Sequence, residues 1–128
     1  MARILVAGRD ATELKARALL IEFEGHGCIT ARSLEEALET VENAPIDLVI
    51  ADIELLNSYS SGTAEIMRRC SARAALMVLT DKPGSIVQAD AILNTPCSPE
   101  EFFTAIQNVL DNSHAKVEGV GTPRHAKV

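Results

Sequence analysis

Aromatic residues are scarce in this sequence: its 128 residues include no tryptophan, one tyrosine and three phenylalanines. The hydrophobic fraction is nevertheless 47%, so the interior must be built mainly from leucine, isoleucine, valine and alanine. Long hydrophobic runs are lacking too, because residues 46–51, interrupted by Asp47, are far too few to span a bilayer. Met1 leads directly into a strand-like run without a secretory hydrophobic region. We therefore expect a cytoplasmic protein of one domain that makes no membrane contact.

Cysteine is also rare, and its spacing excludes two kinds of site. Cys28, Cys70 and Cys97 are odd in number and widely separated, with no C-x-x-C pair. Neither a disulfide framework nor a zinc site is therefore indicated. We expect three reduced, partly buried thiols.

Positive charge is in short supply over most of the chain. The net charge is −6, which argues against nucleic acid as a partner, because phosphate binding needs clustered lysine and arginine. Residues 1–111 carry a net charge of −8, whereas residues 112–128 carry +2 and show no hydrophobic periodicity. We therefore divide the chain into a folded domain, 1–111, and a flexible tail or linker, 112–128.

Short apolar runs alternate with helical patterns along the domain. This alternation is typical of an α/β fold with a parallel sheet. Capping residues predict where three helices begin, because Asp10, Ser33 and Ser98 are each followed three positions later by glutamate. A further helix is predicted at about 63–70. Residues 81–91 include Pro83 and Gly84, so we expect at most one helical turn between the fourth and fifth strands.

Polar residues follow several of the predicted strands. In an open parallel sheet, ligands and chemistry collect at the carboxyl ends of the strands. The residues found there are Gly8, Arg9, Asp10, Asp52, Thr80, Asp81, Lys82, Asn94 and Thr95.

Four segments in order, residues 4–6, 46–53, 77–80 and 96–102, resemble the signature segments of response-regulator receiver domains. The resemblance covers residues 2–111. It implies a doubly wound, flavodoxin-like, five-stranded parallel sheet of order 2-1-3-4-5, with the helix between strands 4 and 5 shortened or missing. It also implies a role in bacterial two-component, phosphorelay signal transduction.

Asp52 matches the phosphoacceptor position of that family, where a carboxylate attacks a phosphoryl donor. The two acidic residues that hold Mg²⁺ in the family are replaced here by Gly8 and Arg9. This exchange removes oxygen ligands and adds a repelling charge. Asp10 comes one position later, but its sequence context favours a helix N-cap. Arg9 could instead bind Asp52 and take the place of the metal.

The rest of the pocket resembles the family only in part. Thr80 matches the switch hydroxyl, but its usual aromatic partner on the fifth strand is replaced by Ile92. The family's lysine is replaced by Thr95, and the following Pro96 is predicted to have a cis peptide bond by resemblance. Lys82 is either a substitute cation or a solvated loop lysine.

These departures favour a degenerate pseudo-receiver. We expect a signalling module, not an enzyme, that works through protein–protein interaction, without cofactor and without normal Mg²⁺-dependent phosphorylation. Its partner would be a histidine kinase or an output protein, and it would be a monomer or weak homodimer. The alternative is a functional phosphoacceptor that uses Asp10, Asp52 and Lys82, with Mg²⁺. A flavin carrier is disfavoured, since the sequence has no G-x-G-x-x-G spacing and few aromatics.

Overall fold

A computed structural model describes residues 2–56, 65, 68–70, 74–82 and 89–118, and for 113–118 it describes the backbone only. Strands and short helices alternate along these segments. The elements are β1 (Arg3–Ala7), α1 (Ala11–Phe23), β2 (Gly27–Ala31), α2 (Leu34–Asn43), β3 (Leu48–Asp52), α3 (Ile53–Leu56), β4 (Ala75–Thr80), β5 (Ala91–Asn94) and α4 (Pro99–Glu118).

The five strands form one parallel sheet in the order β2-β1-β3-β4-β5. Leu5 in β1 lies opposite Ile29 on one side and Val49 on the other, so β1 and β3 are neighbours although α1, β2 and α2 separate them in sequence. The predicted fold class and strand order are confirmed. The direction of strand order reverses at β1, and this is where ligand sites of such sheets lie.

Apolar residues cover both faces of the sheet, because successive side chains of a strand point to opposite sides. One face packs against α2 and α3, and the other packs against α1 and α4. Val49 and Leu76 belong to the first layer, while Ile50 and Met77 belong to the second. Phe102 is the one buried aromatic residue among those described, which confirms the expected aliphatic core.

Side-chain caps begin the three helices as predicted. Asp10 Oδ1 accepts hydrogen bonds from the backbone N–H groups of Thr12 and Glu13, at 2.9 and 3.1 Å. Ser33 Oγ and Ser98 Oγ each accept one from the N–H group three residues later, both at 3.1 Å. These bonds satisfy donors that the first helical turn leaves without a partner.

The last helix continues beyond residue 111. Its backbone remains helical to Glu118, past the predicted domain boundary. The division into a folded domain, 1–111, and a flexible tail or linker, 112–128, stays a prediction. Residues 119–128 lie outside the described part. Within the described segments, no helix is both long and apolar enough to cross a membrane.

Two other predictions fall largely where the chain is not described. Of the segment between β4 and β5, only residues 81–82 and 89–90 are described, so the prediction of a shortened helix stays a prediction. Of the helix predicted at about 63–70, residues 65 and 68–70 are helical.

The three cysteines are free thiols. Cys70 is buried, and Cys28 and Cys97 are half-buried. Burial raises the pKa of Cys28 and of Cys70 to about 11, which leaves little thiolate at neutral pH.

Candidate functional site

A cleft of about 140 Å³ opens where β3, β4 and β5 end. Four of the residues expected at the strand ends, Asp52, Thr80, Asp81 and Thr95, line it together. The other lining residues are Glu13, Arg17, Ile53, Glu54 and Leu79. The carboxyl ends of the strands therefore bring the phosphoacceptor, switch and lysine positions of the receiver pattern to one place.

Asp52 forms an ion pair with Arg17. Arg17 Nη1 lies 3.1 Å from Asp52 Oδ1 and 3.2 Å from Oδ2, so one nitrogen bridges both carboxylate oxygens. Arg17 Nη2 also lies 3.5 Å from Glu13 Oε1. The prediction that Arg9 binds Asp52 is therefore wrong. Arg9 is exposed, and its carbonyl oxygen accepts a long hydrogen bond, 3.5 Å, from Arg32 Nη2.

Arg17 reaches the cleft because of its position on α1. It lies three residues after Leu14 and four before Ile21, the two buried residues of that helix, so it belongs to the inward-facing stripe. An arginine in such a stripe needs a carboxylate or other acceptor nearby, since an unpaired buried charge is costly. This spacing was the signal that could have identified Arg17 from sequence.

Gly8 lies directly beneath the Asp52 carboxylate. A Cβ atom at position 8 would lie 2.5 Å from Asp52 Oδ2 and 3.4 Å from Leu14 Cδ2. The first distance is shorter than a van der Waals contact allows, so any side chain here would displace the carboxylate. Glycine at position 8 therefore has two consequences. It provides no side-chain ligand for a metal, and it leaves space for the Asp52 carboxylate.

The pKa of Asp52 is raised above its ordinary value of 3.8. Burial is the largest cause, because it penalises the charged carboxylate. Arg17 opposes it through its charge and its hydrogen bond, while the charges of Glu13 and Glu54 raise the pKa further. The ion pair therefore offsets only part of the cost of burying Asp52.

Thr80 and its neighbours hold the rim of the cleft in place. Thr80 is 2% exposed, and its Oγ1 accepts a hydrogen bond from the Lys82 N–H group at 3.0 Å. Its carbonyl oxygen accepts one from the Thr95 N–H group at 2.8 Å. The peptide bond between Thr95 and Pro96 is cis, as expected. Lys82 is exposed and does not line the cleft.

Receiver-type sites use Mg²⁺, and the residues at this cleft do not fit that ion. Gly8 offers no side-chain ligand, and Asp10 uses Oδ1 to cap α1. The Arg17 guanidinium already binds both oxygens of Asp52. Within the described segments, no group of three or more histidine, cysteine, aspartate or glutamate residues could hold a metal ion. A hard divalent cation needs six or more oxygen ligands, part of them from the protein.

Comparison with solved structures places this fold among receiver domains. A CheY-like response regulator receiver domain protein from Methanospirillum hungatei is 25% identical, with a TM-score of 0.78 over 91% of this chain and 98% of that one. A response regulator receiver domain protein from Clostridium thermocellum is 26% identical, with a TM-score of 0.77 over 90% and 98% of the two chains. The response regulator TrrA from Thermotoga maritima, in complex with Mg²⁺ and BeF, is 24% identical, with a TM-score of 0.73 over 85% and 99%.

No protein-family model matches the chain, and no curated protein matches it at a significant level. The similarity therefore rests on three-dimensional structure. It shows that the described chain has the CheY-like receiver fold, with the cleft at the carboxyl ends of its strands.

Proposed function

We propose that this chain is a receiver-like module of two-component signalling that acts through protein–protein contact and does not accept phosphate on Asp52 by the Mg²⁺-dependent route. The observation that carries the proposal is the ion pair between Arg17 and Asp52. In this arrangement the carboxylate that would act as nucleophile is bound to a guanidinium, and a bound carboxylate is a weaker nucleophile.

The charge around the cleft supports the same proposal. Its described lining includes four carboxyl groups, those of Glu13, Asp52, Glu54 and Asp81, and one guanidinium. Phosphoryl transfer depends mainly on cations that neutralise the charge of the transferred group. An incoming phosphoryl donor would meet net negative charge here, and we expect this to slow the reaction severely.

The proposed partner is another signalling protein, either a histidine kinase or an output protein, in the cytoplasm. The acidic body, with its net charge of −8 over residues 1–111, disfavours direct contact with nucleic acid. The fold similarity to receiver domains supports a signalling module over an enzyme. We propose a monomer or a weak homodimer.

Intact-mass spectrometry after incubation with Mg²⁺ and acetyl phosphate tests the proposal. We expect no species heavier by one phosphoryl group, under conditions that phosphorylate an active receiver domain run in parallel. The matched control is Asp52→Asn, which separates modification of Asp52 from modification elsewhere. Stoichiometric phosphorylation of the wild type but not of Asp52→Asn would refute the proposal.

That refuting outcome would establish the second candidate, a working phosphoacceptor. One observation favours it: Asp52, Thr80 and Thr95 line a common cleft beside a cis Thr95–Pro96 bond. Arg17 would then supply the positive charge that the family's lysine provides. NMR titration with Mg²⁺ and beryllofluoride distinguishes the two candidates, since only a working site shifts the resonances of Asp52 and Thr80.

A further inference from the structure

We infer that Gly8, Asp52 and Arg17 form one coupled unit, in which the Arg17 guanidinium replaces the metal as the counter-ion of Asp52 and Gly8 provides the space this pairing requires. The inference deepens the proposed function, because it names the residues that hold the cleft in a single state. We call these three residues the arginine unit.

Arg17 and Asp52 form a largely buried ion pair. Their side chains are 17% and 19% exposed, so both charged groups are largely withdrawn from water. Each charge compensates for the burial of the other, so removal of one leaves the remaining charge buried without a partner. The pair also joins α1 to the end of β3 across 35 positions of sequence.

Gly8 leaves the space that the Asp52 carboxylate occupies. The Asp52 carboxylate that Arg17 binds occupies the volume of a Cβ atom at position 8, since that atom would lie 2.5 Å from Oδ2. A side chain at position 8 and the observed Asp52–Arg17 geometry therefore exclude each other. An acidic residue at position 8, as in metal-binding receivers, would force Asp52 away from Arg17.

Gly8 and Arg17 are therefore positioning residues for Asp52. Position 8 is acidic in metal-binding receivers and is glycine here. This exchange and the presence of Arg17 belong together, because a guanidinium attached to the chain takes over from a diffusible metal ion. A cleft built in this way keeps its counter-ion whether or not divalent metal is available.

A double-mutant cycle tests the coupling. The variants are Gly8→Ala, Arg17→Gln and the combination, each unfolded in urea without metal or phosphodonor. Introduced into the wild type, Gly8→Ala should lower the folding equilibrium constant about tenfold more than when it is introduced into Arg17→Gln. In Arg17→Gln the guanidinium no longer holds the Asp52 carboxylate, which can move away from the added Cβ atom. If the Gly8→Ala variant does not fold but the double variant does, the result supports the arginine unit. If neither of these two variants folds, the inference is overturned.

Two matched controls separate this coupling from general effects. Gly27→Ala places a Cβ atom where nothing lies within 4 Å, so its effect should be the same with and without Arg17. Lys15→Gln removes an exposed charge from the same helix and should not couple to Gly8→Ala. Effects of Gly8→Ala and Arg17→Gln that simply add would overturn the inference.

A second readout follows the ionisation of Asp52 itself by carbon-detected NMR of its carboxyl group. Arg17→Gln should raise the pKa of Asp52, because Arg17 lowers it in the wild type. Gly8→Ala should raise it as well if it separates the pair, whereas Lys15→Gln should not. An unchanged pKa in Gly8→Ala contradicts the coupling. Neither measurement involves phosphate, so this inference and the proposed function can fail independently.

Discussion

Burial raises the pKa of the Asp52 carboxyl group and Arg17 lowers it, and the sequence reveals only part of this environment. Its place at the end of β3 follows from the apolar run before it, so the position could be predicted from local pattern. Its partner could not be assigned in the same way, because Arg17 lies 35 positions away and reaches Asp52 only once α1 packs on the sheet. Arg9, which lies next to Gly8 in sequence, is exposed and does not pair with Asp52.

At the same scale, the raised pKa of Asp52 predicts how stability depends on pH. The native state holds the Asp52 proton more tightly than the unfolded chain does, so this group contributes its full stability below the unfolded pKa. That contribution is lost as pH rises through the folded pKa. We therefore expect Asp52→Asn, which resembles the protonated form, to gain stability relative to the wild type as pH rises from about 3 to about 7.

Urea unfolding of both proteins across that pH range measures the effect. Glu39→Gln serves as a control, because it neutralises an exposed carboxylate on α2. If the wild type instead gained stability relative to Asp52→Asn as pH rises, the effect of Arg17 on the pKa of Asp52 would outweigh the effect of burial. That result would contradict this prediction.

Among the elements, the starts of helices were easier to predict than the ends. Capping signals are local, since a side chain at the first position bonds to an N–H group two or three residues later, and Asp10, Ser33 and Ser98 all do so. Apolar periodicity ceases after residue 111, so the sequence carried no such signal for the part of α4 that continues to Glu118. A helix needs no apolar face to continue, however, and residues 112–118 contain no proline or glycine.

The cap at Ser33 offers a quantitative test at the element scale. Ser33 Oγ accepts from the Glu36 N–H group, and Glu36 Oε1 accepts from the Arg32 N–H group at 2.7 Å. Ser33→Ala removes the first bond and should cost about 1 kcal/mol in the free energy of unfolding. Ser33→Asp keeps an acceptor and should cost much less. Equal losses in the two variants, measured by urea unfolding, would show that the cap does not contribute through this bond.

For the whole molecule, alternation of strands and helices was enough to predict a parallel α/β sheet, but not the order of its strands. Each strand is a short apolar run, and nothing in such a run says which neighbour it pairs with. The order 2-1-3-4-5 came from the resemblance to receiver domains and is confirmed. The pocket followed from the order, because adjacent β1, β3 and β4 bring Gly8, Asp52 and Thr80 together.

The same topology predicts an unequal distribution of stability across the sheet. Ile50 lies in the central strand β3 at 0% exposure, whereas Ile92 lies in the edge strand β5 at 45%. Truncation of a buried isoleucine leaves a cavity between packed layers, so Ile50→Ala should cost about 2–5 kcal/mol in the free energy of unfolding. Ile92 is partly exposed to water, so Ile92→Ala removes fewer packing contacts and should lower the free energy of unfolding by less than half as much. A comparable cost at both positions, measured by urea unfolding, would mean that the β5 edge is covered in solution, for example by a second copy of the chain.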